Sequence, residues 1–198
     1  MRFPLRYPLT MSFKIVALAP QFSIRDASGD LIAYVKQKLF KLKEAVTVYA
    51  DERQTQAMYT LKADRILDFS ARYHFADQHG AGLGSVKRHG MRSLWKVHYD
   101  IMEGDTTVMS IREENAWVKV ADALISQIPL LGMFSGYVFH PAYLVSRADG
   151  AVVMRMEKQP AFFEGKFSVE KQASLSEAEE QGLLLSLIMM LLLERARG

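Results

Sequence analysis

The run Leu183-Leu184-Leu185-Ser186-Leu187-Ile188-Met189-Met190-Leu191-Leu192-Leu193 carries no charge and a single hydroxyl. As a helix it has no polar stripe, so it must be covered on every side. At about 1.5 Å per residue it extends roughly 16 Å, well short of the roughly 30 Å core of a bilayer. A C-terminal membrane anchor is therefore disfavoured, and two readings stay open: a helix in an ordinary core, or one enclosed by a closed sheet. Burying about ten such side chains is worth on the order of 15–30 kcal/mol before ordering costs, more than the net stability of most domains. The helix is also delimited. Ser176-Glu177-Ala178-Glu179 has capping-box spacing, Glu177, Glu179 and Glu180 suit the positive end of the dipole, and Arg195, Arg197 and Gly198 form a stop signal.

The preceding residues read as hairpins. Short alternating stretches flank Asp- and Gly-bearing turns in Phe22–Lys36, Val46–Lys62, Tyr73–Lys87, Val97–Arg112 and Tyr143–Lys158, and each unit closes on a cation. Aspartate supports such turns through its own backbone hydrogen bonds, and glycine supplies positive φ. With edge strands near Ser12–Ala17 and Lys166–Lys171 the chain has about twelve strands, a number at which an antiparallel sheet curls, splits or closes. Closure also removes exposed edges and offers the terminal helix an interior. The expected fold is mainly β: a closed antiparallel barrel around a buried C-terminal helix, with residues 1–198 forming a single domain.

One segment departs from the pattern. Asn115 can cap a helix whose Trp117, Val120, Ala121, Leu124, Ile125 and Ile128 share a face, ended by Pro129. The apolar stretch 130–139 that follows is expected to cover the barrel mouth or to touch a membrane or partner.

Composition narrows the chemistry. The chain lacks cysteine, which excludes disulfides, thiolate metal sites and cysteine nucleophiles. Lys14 and Ser12 interrupt the apolar stretch after Arg2 and Arg6, so the N-terminus does not read as a signal peptide, and a cytoplasmic location is expected. The net charge of +3 is unevenly spread: between Lys36 and Lys96, twelve Lys or Arg face six Asp or Glu, leaving about −3 for the remainder. A positive region of this kind suits phosphate or lipid headgroups, although solvated strand ends carry the same signature.

The strand–Asp-x-x-Gly–strand–Lys unit, the Phe163-Glu164-Gly165-Lys166-Phe167-Ser168-Val169 strand and the terminal hydrophobic helix resemble the LURP-one-related family, over roughly Phe13 to Glu194. That family belongs to the tubby C-terminal-like group, which includes the phospholipid scramblases. The resemblance implies a twelve-stranded antiparallel barrel wrapped around a C-terminal helix. Tubby proteins bind phosphoinositides through basic residues on the barrel, but no short motif marks those positions here. Scramblases add lipidated cysteines and an acidic calcium-binding segment, and this chain has neither feature.

No catalytic, metal or cofactor motif stands out. Gly80-Ala81-Gly82-Leu83-Gly84 lacks the following helix of a dinucleotide loop and reads as a hairpin turn. Of the histidines, His74 and His98 are the pair expected to meet across neighbouring strands, with Asp77 or Asp100 as further donors; ordinary strand histidines are the simpler reading. Ser93 and Asp68 have no triad spacing. Arg72-Tyr73, Arg92 and Trp95-Lys96 could serve nucleic acid, yet strand alternation accounts for them. The expected function is a non-enzymatic binding or adaptor module, peripheral at anionic membrane surfaces, with a protein-interaction scaffold and an unrecognised enzyme as alternatives. The headgroup candidates are Lys36, Lys38, Lys41, Lys43, Lys62, Lys87, Arg88 and Arg92, gathered at one rim because Lys36, Lys62 and Lys87 end the second strands of successive hairpins.

Overall fold

β-Branched, aromatic and methionine residues at alternating positions build twelve strands, each turning one apolar face toward a common centre. The computed structural model describes residues 1, 3–14, 21–36, 45–65, 71–89, 97–114, 141–160 and 164–197, apart from the side chains of Glu164 and Arg197. The strands are β1 (Leu9–Lys14), β2 (Gln21–Arg25), β3 (Leu31–Lys36), β4 (Ala45–Tyr49), β5 (Ala57–Ala63), β6 (Arg72–Asp77), β7 (Gly82–Arg88), β8 (His98–Glu103), β9 (Thr106–Glu113), β10 (Ala142–Arg147), β11 (Val152–Gln159) and β12 (Glu164–Lys171). Each pairs antiparallel with its chain neighbours, and β1 pairs with β12 to close the barrel. The first strand starts earlier than Ser12, because Leu9, Met11 and Phe13 already alternate inward. The expected helix at 115–128 and the apolar stretch 130–139 lie outside the described residues.

The terminal helix, α1 (Glu177–Arg197), runs through the barrel. Every residue from Leu183 to Leu192 is buried, as an all-round apolar helix requires. The one hydroxyl in the run, Ser186, donates to the Gly182 carbonyl at 2.8 Å, so no polar atom is left bare. The capping box forms as the spacing implies: Glu179 N–H donates to Ser176 Oγ at 3.2 Å, and Ser176 N–H donates to the Glu179 carboxylate at 2.8 Å. No helix among the described residues is long and apolar enough to cross a membrane.

Hairpin turns gather at one end of the barrel, here the turn rim. Asp26 accepts N–H bonds from Ser28 and Asp30, Asp51 from Thr55 and Gln56, Asp77 from His79 and Ala81, and Asp149 from Ala151. The strand pairing slips by one residue beside these turns, between Ile24 and Arg25 and between Val48 and Tyr49. Hydrogen bonds from the Ala81 N–H and then the His79 N–H, against an opposing effect of burial, hold the Asp77 carboxyl below its ordinary 3.8. A group lowered in the folded state stabilises the fold above its unfolded pKa, and the contribution disappears as pH falls through the folded value. Asp26 and Asp51 are lowered as well, despite burial acting against them. Acid unfolding is therefore expected to set in below about pH 4. Asp77→Asn should flatten that acid limb when urea midpoints are compared at neutral and acid pH.

The glycine-rich stretch is a turn and strand rather than a phosphate loop. Gly80 lies in the turn at φ 83°, whereas Gly84 lies within β7 at φ 102°. A Cβ on Gly84 would stand 2.9 Å from the Met102 carbonyl oxygen of β8, a backbone atom with no freedom to move aside. Gly84→Ala should cost on the order of 1–3 kcal/mol, read from its urea unfolding midpoint.

Candidate functional site

Up-and-down closure sends odd-numbered strands toward one rim and even-numbered strands back from it. This second rim, here the loop rim, receives Lys14, Lys36, Lys62, Lys87 and Lys158 at the ends of β1, β3, β5, β7 and β11. Lys166, near the start of β12, joins them. All six are exposed, and none forms an ion pair with a described residue. Lys36, Lys62 and Lys87 therefore share a rim, as their place in the hairpins implied. Lys38, Lys41, Lys43 and Arg92 lie outside the described residues.

Arg88 does not belong to this surface. It is only 7% exposed, and its Nε donates to Glu194 Oε1 at 3.2 Å across the barrel interior. Tyr99 donates its hydroxyl to the same Glu194 oxygen at 2.6 Å, and the Arg88 guanidinium lies 5.9 Å from the Tyr99 ring centre. Burial, reinforced by the Glu194 charge, pushes the Tyr99 phenol far above its ordinary range, so it remains a donor. The cause is strand alternation: Val86 points in, Lys87 out and Arg88 in. Arg72 is also committed, to Ser85 at 2.7 Å and Asp105 at 2.9 Å.

Ion pairs also fix the helix at the turn rim. Lys171 Nζ meets Glu180 Oε1 at 2.5 Å, with Glu180 only 4% exposed, and Arg147 meets Glu179 at 3.0 Å. Glu179 and Glu180 thus dock the helix besides suiting its dipole. Charge is thus separated along the barrel axis: carboxylates bound into turns at one end, and exposed lysines without an ion pair among the described residues at the other.

A second cluster lies on the outer face beside the loop rim. His89 N–H donates to the His98 carbonyl at 3.0 Å, extending the β7–β8 ladder beyond Arg88, and Asp100 follows two residues later on the same face. The imidazoles stack with centroids 4.1 Å apart and planes 8° apart. Asp100 lies 2.5 Å from His89 Nε2 and 3.4 Å from His98 Nε2. Burial, then the neighbouring His89 and Arg112, lowers the His98 pKa against the opposing pull of Asp100. The expected meeting of His74 with His98 does not occur. His74 pairs with Ser85, and β7 separates its strand from β8, so the true partner is His89. Asp77 is taken up in its turn.

A closed twelve-stranded antiparallel barrel threaded by a hydrophobic C-terminal helix, with a basic rim, defines the class of this protein. Residues 31–170 match the LURP-one-related family model, and the chain belongs to that family. The crystal structure of a protein from Arabidopsis thaliana is similar to it, with a TM-score of 0.53 and 19% identity over 98% of this chain and 94% of that one. At that identity the likeness speaks for the fold alone. Comparison with curated proteins gives no match. Family membership suggests a binding or adaptor domain, and the family is not a known enzyme family.

Proposed function

We propose that the chain is a non-enzymatic binding module that docks reversibly on anionic phospholipid headgroups through its loop rim. The observation that carries this reading is the separation of charge along the barrel axis. Lys36, Lys62 and Lys87 stand exposed and without ion-pair partners among the described residues on one rim, while Asp26, Asp51, Asp77 and Asp149 occupy the other. An anionic surface attracts the first end and repels the second. Each lysine close to such a surface contributes about 1 kcal/mol, an attraction that fades within a Debye length.

Sedimentation with phosphatidylserine-containing vesicles tests the reading. Wild-type protein should bind these at low salt, leave them at high salt and ignore phosphatidylcholine vesicles. Lys36→Glu/Lys62→Glu/Lys87→Glu should weaken partitioning about 100-fold or more, since three contributions of about 1 kcal/mol are lost and then reversed. Its melting temperature should stay close to wild type, because these side chains are exposed and form no ion pair with a described residue. Absence of wild-type binding, or binding indifferent to the triple reversal, would replace headgroup docking with a protein-interaction scaffold.

A further inference from the structure

We propose that His89, His98 and Asp100 form a site for one divalent transition-metal ion of the zinc type on the outer face of the barrel. The three donors come from two adjacent strands at positions that the ladder holds together: His89 opposite His98, and Asp100 two residues further along β8. One possible ligand atom from each lies within 4.8 Å of the other two. A tetrahedral ion with bonds of about 2.0–2.2 Å requires donor separations of roughly 3.3–3.5 Å, so modest side-chain rotations suffice. His89 is free to make them, its side chain being 51% exposed. His98 Nε2 is buried and has no well-formed hydrogen bond among the described residues, the Asp100 carboxylate standing 3.4 Å away. A buried nitrogen in that position is costly unless something binds it.

The donor set selects the ion. Two imidazoles and one carboxylate suit Zn2+ and its first-row neighbours, whereas Ca2+ and Mg2+ favour all-oxygen sites. Lys87 stands across the ladder from Asp100, and Arg112 across from His98. These charges oppose a cation held by electrostatics alone, so binding must come from coordination by the imidazoles. Three protein donors leave a coordination position for water or an exogenous ligand. The assignment holds whether or not the loop rim docks on lipid.

Chelator-treated protein titrated with Zn2+ in a calorimeter, and with Co2+ in a spectrophotometer, tests the site. One saturable equivalent of Zn2+ is expected, with visible d–d bands on Co2+ loading. His98→Ala and Asp100→Asn should each weaken Zn2+ at least tenfold and abolish the Co2+ bands. His89→Gln, at a half-exposed position, provides a variant with little risk to folding and should behave likewise. His74→Ala should bind as wild type does. Failure to saturate with Zn2+, or affinity unchanged in both His89→Gln and Asp100→Asn, would overturn the assignment and leave a histidine–carboxylate hydrogen bond.

Discussion

Leu187→Asp is expected to yield no soluble folded protein. Leu187 is fully buried midway along the interior helix, with no charged partner close by in the helical run from Leu183 to Leu193. Replacing a buried leucine by a smaller side chain already costs about 2–5 kcal/mol. An unpaired carboxylate adds several kcal/mol more, or remains protonated at similar cost. The sum approaches or exceeds the roughly 5–15 kcal/mol that holds a typical domain together. Leu187→Met, close in volume, should cost less than about 1.5 kcal/mol and keep the protein soluble. Deletion of residues 183–198 should fail as Leu187→Asp does, because the strands would then face an empty barrel. Expression, gel filtration and circular dichroism of these three variants decide the matter. A soluble, cooperatively melting deletion variant would contradict a helix-filled barrel.

The second large effect is expected at Arg88. Arg88→Ala removes the guanidinium that meets Glu194 inside the barrel and leaves a cavity beside Tyr99. Breaking a buried pair from one side costs about 3–5 kcal/mol, and the 26% exposure of the Glu194 side chain argues for the lower part of that range. Arg88→Met with Glu194→Gln should recover part of the loss, since both charges of the pair are then removed together. Urea unfolding of Arg88→Met, Glu194→Gln and the double variant gives the coupling directly. Additive losses would mean that the pair does not fasten the helix. Because Lys171–Glu180 and Arg147–Glu179 hold the other end, a helix released at Glu194 should fray from its C-terminus, visible as faster amide exchange there.

Locally encoded features were legible in the sequence. The apolar run from Leu183 to Leu193 has to be covered on every side, Ser176 and Glu179 are three residues apart, and each aspartate turn contains its own hydrogen-bond partners. What depends on the meeting of distant segments was less accessible. Arg88 reads as the last solvated cation of a hairpin, although the alternation from Val86 already turns it inward; its partner, Glu194, is more than a hundred residues away. An acid in the last turn opposes the helix dipole, and that mismatch was the available signal. The His89–His98 pairing required knowing that β7 continues past Lys87 and that β8 returns opposite it, a register the intervening residues conceal. The early start of β1 was visible in the alternation of Leu9, Met11 and Phe13.

The lack of cysteine in the chain allows a direct test of which end meets a membrane. A fluorophore on Lys158→Cys would mark the loop rim, and one on Ser28→Cys the turn rim; both positions are exposed. Vesicles containing phosphatidylserine and a headgroup-level quencher should dim the Lys158→Cys probe and leave the Ser28→Cys probe bright, with the difference vanishing at high salt. Equal quenching of both probes, stronger quenching at Ser28, or none at either position would contradict headgroup docking through the basic rim.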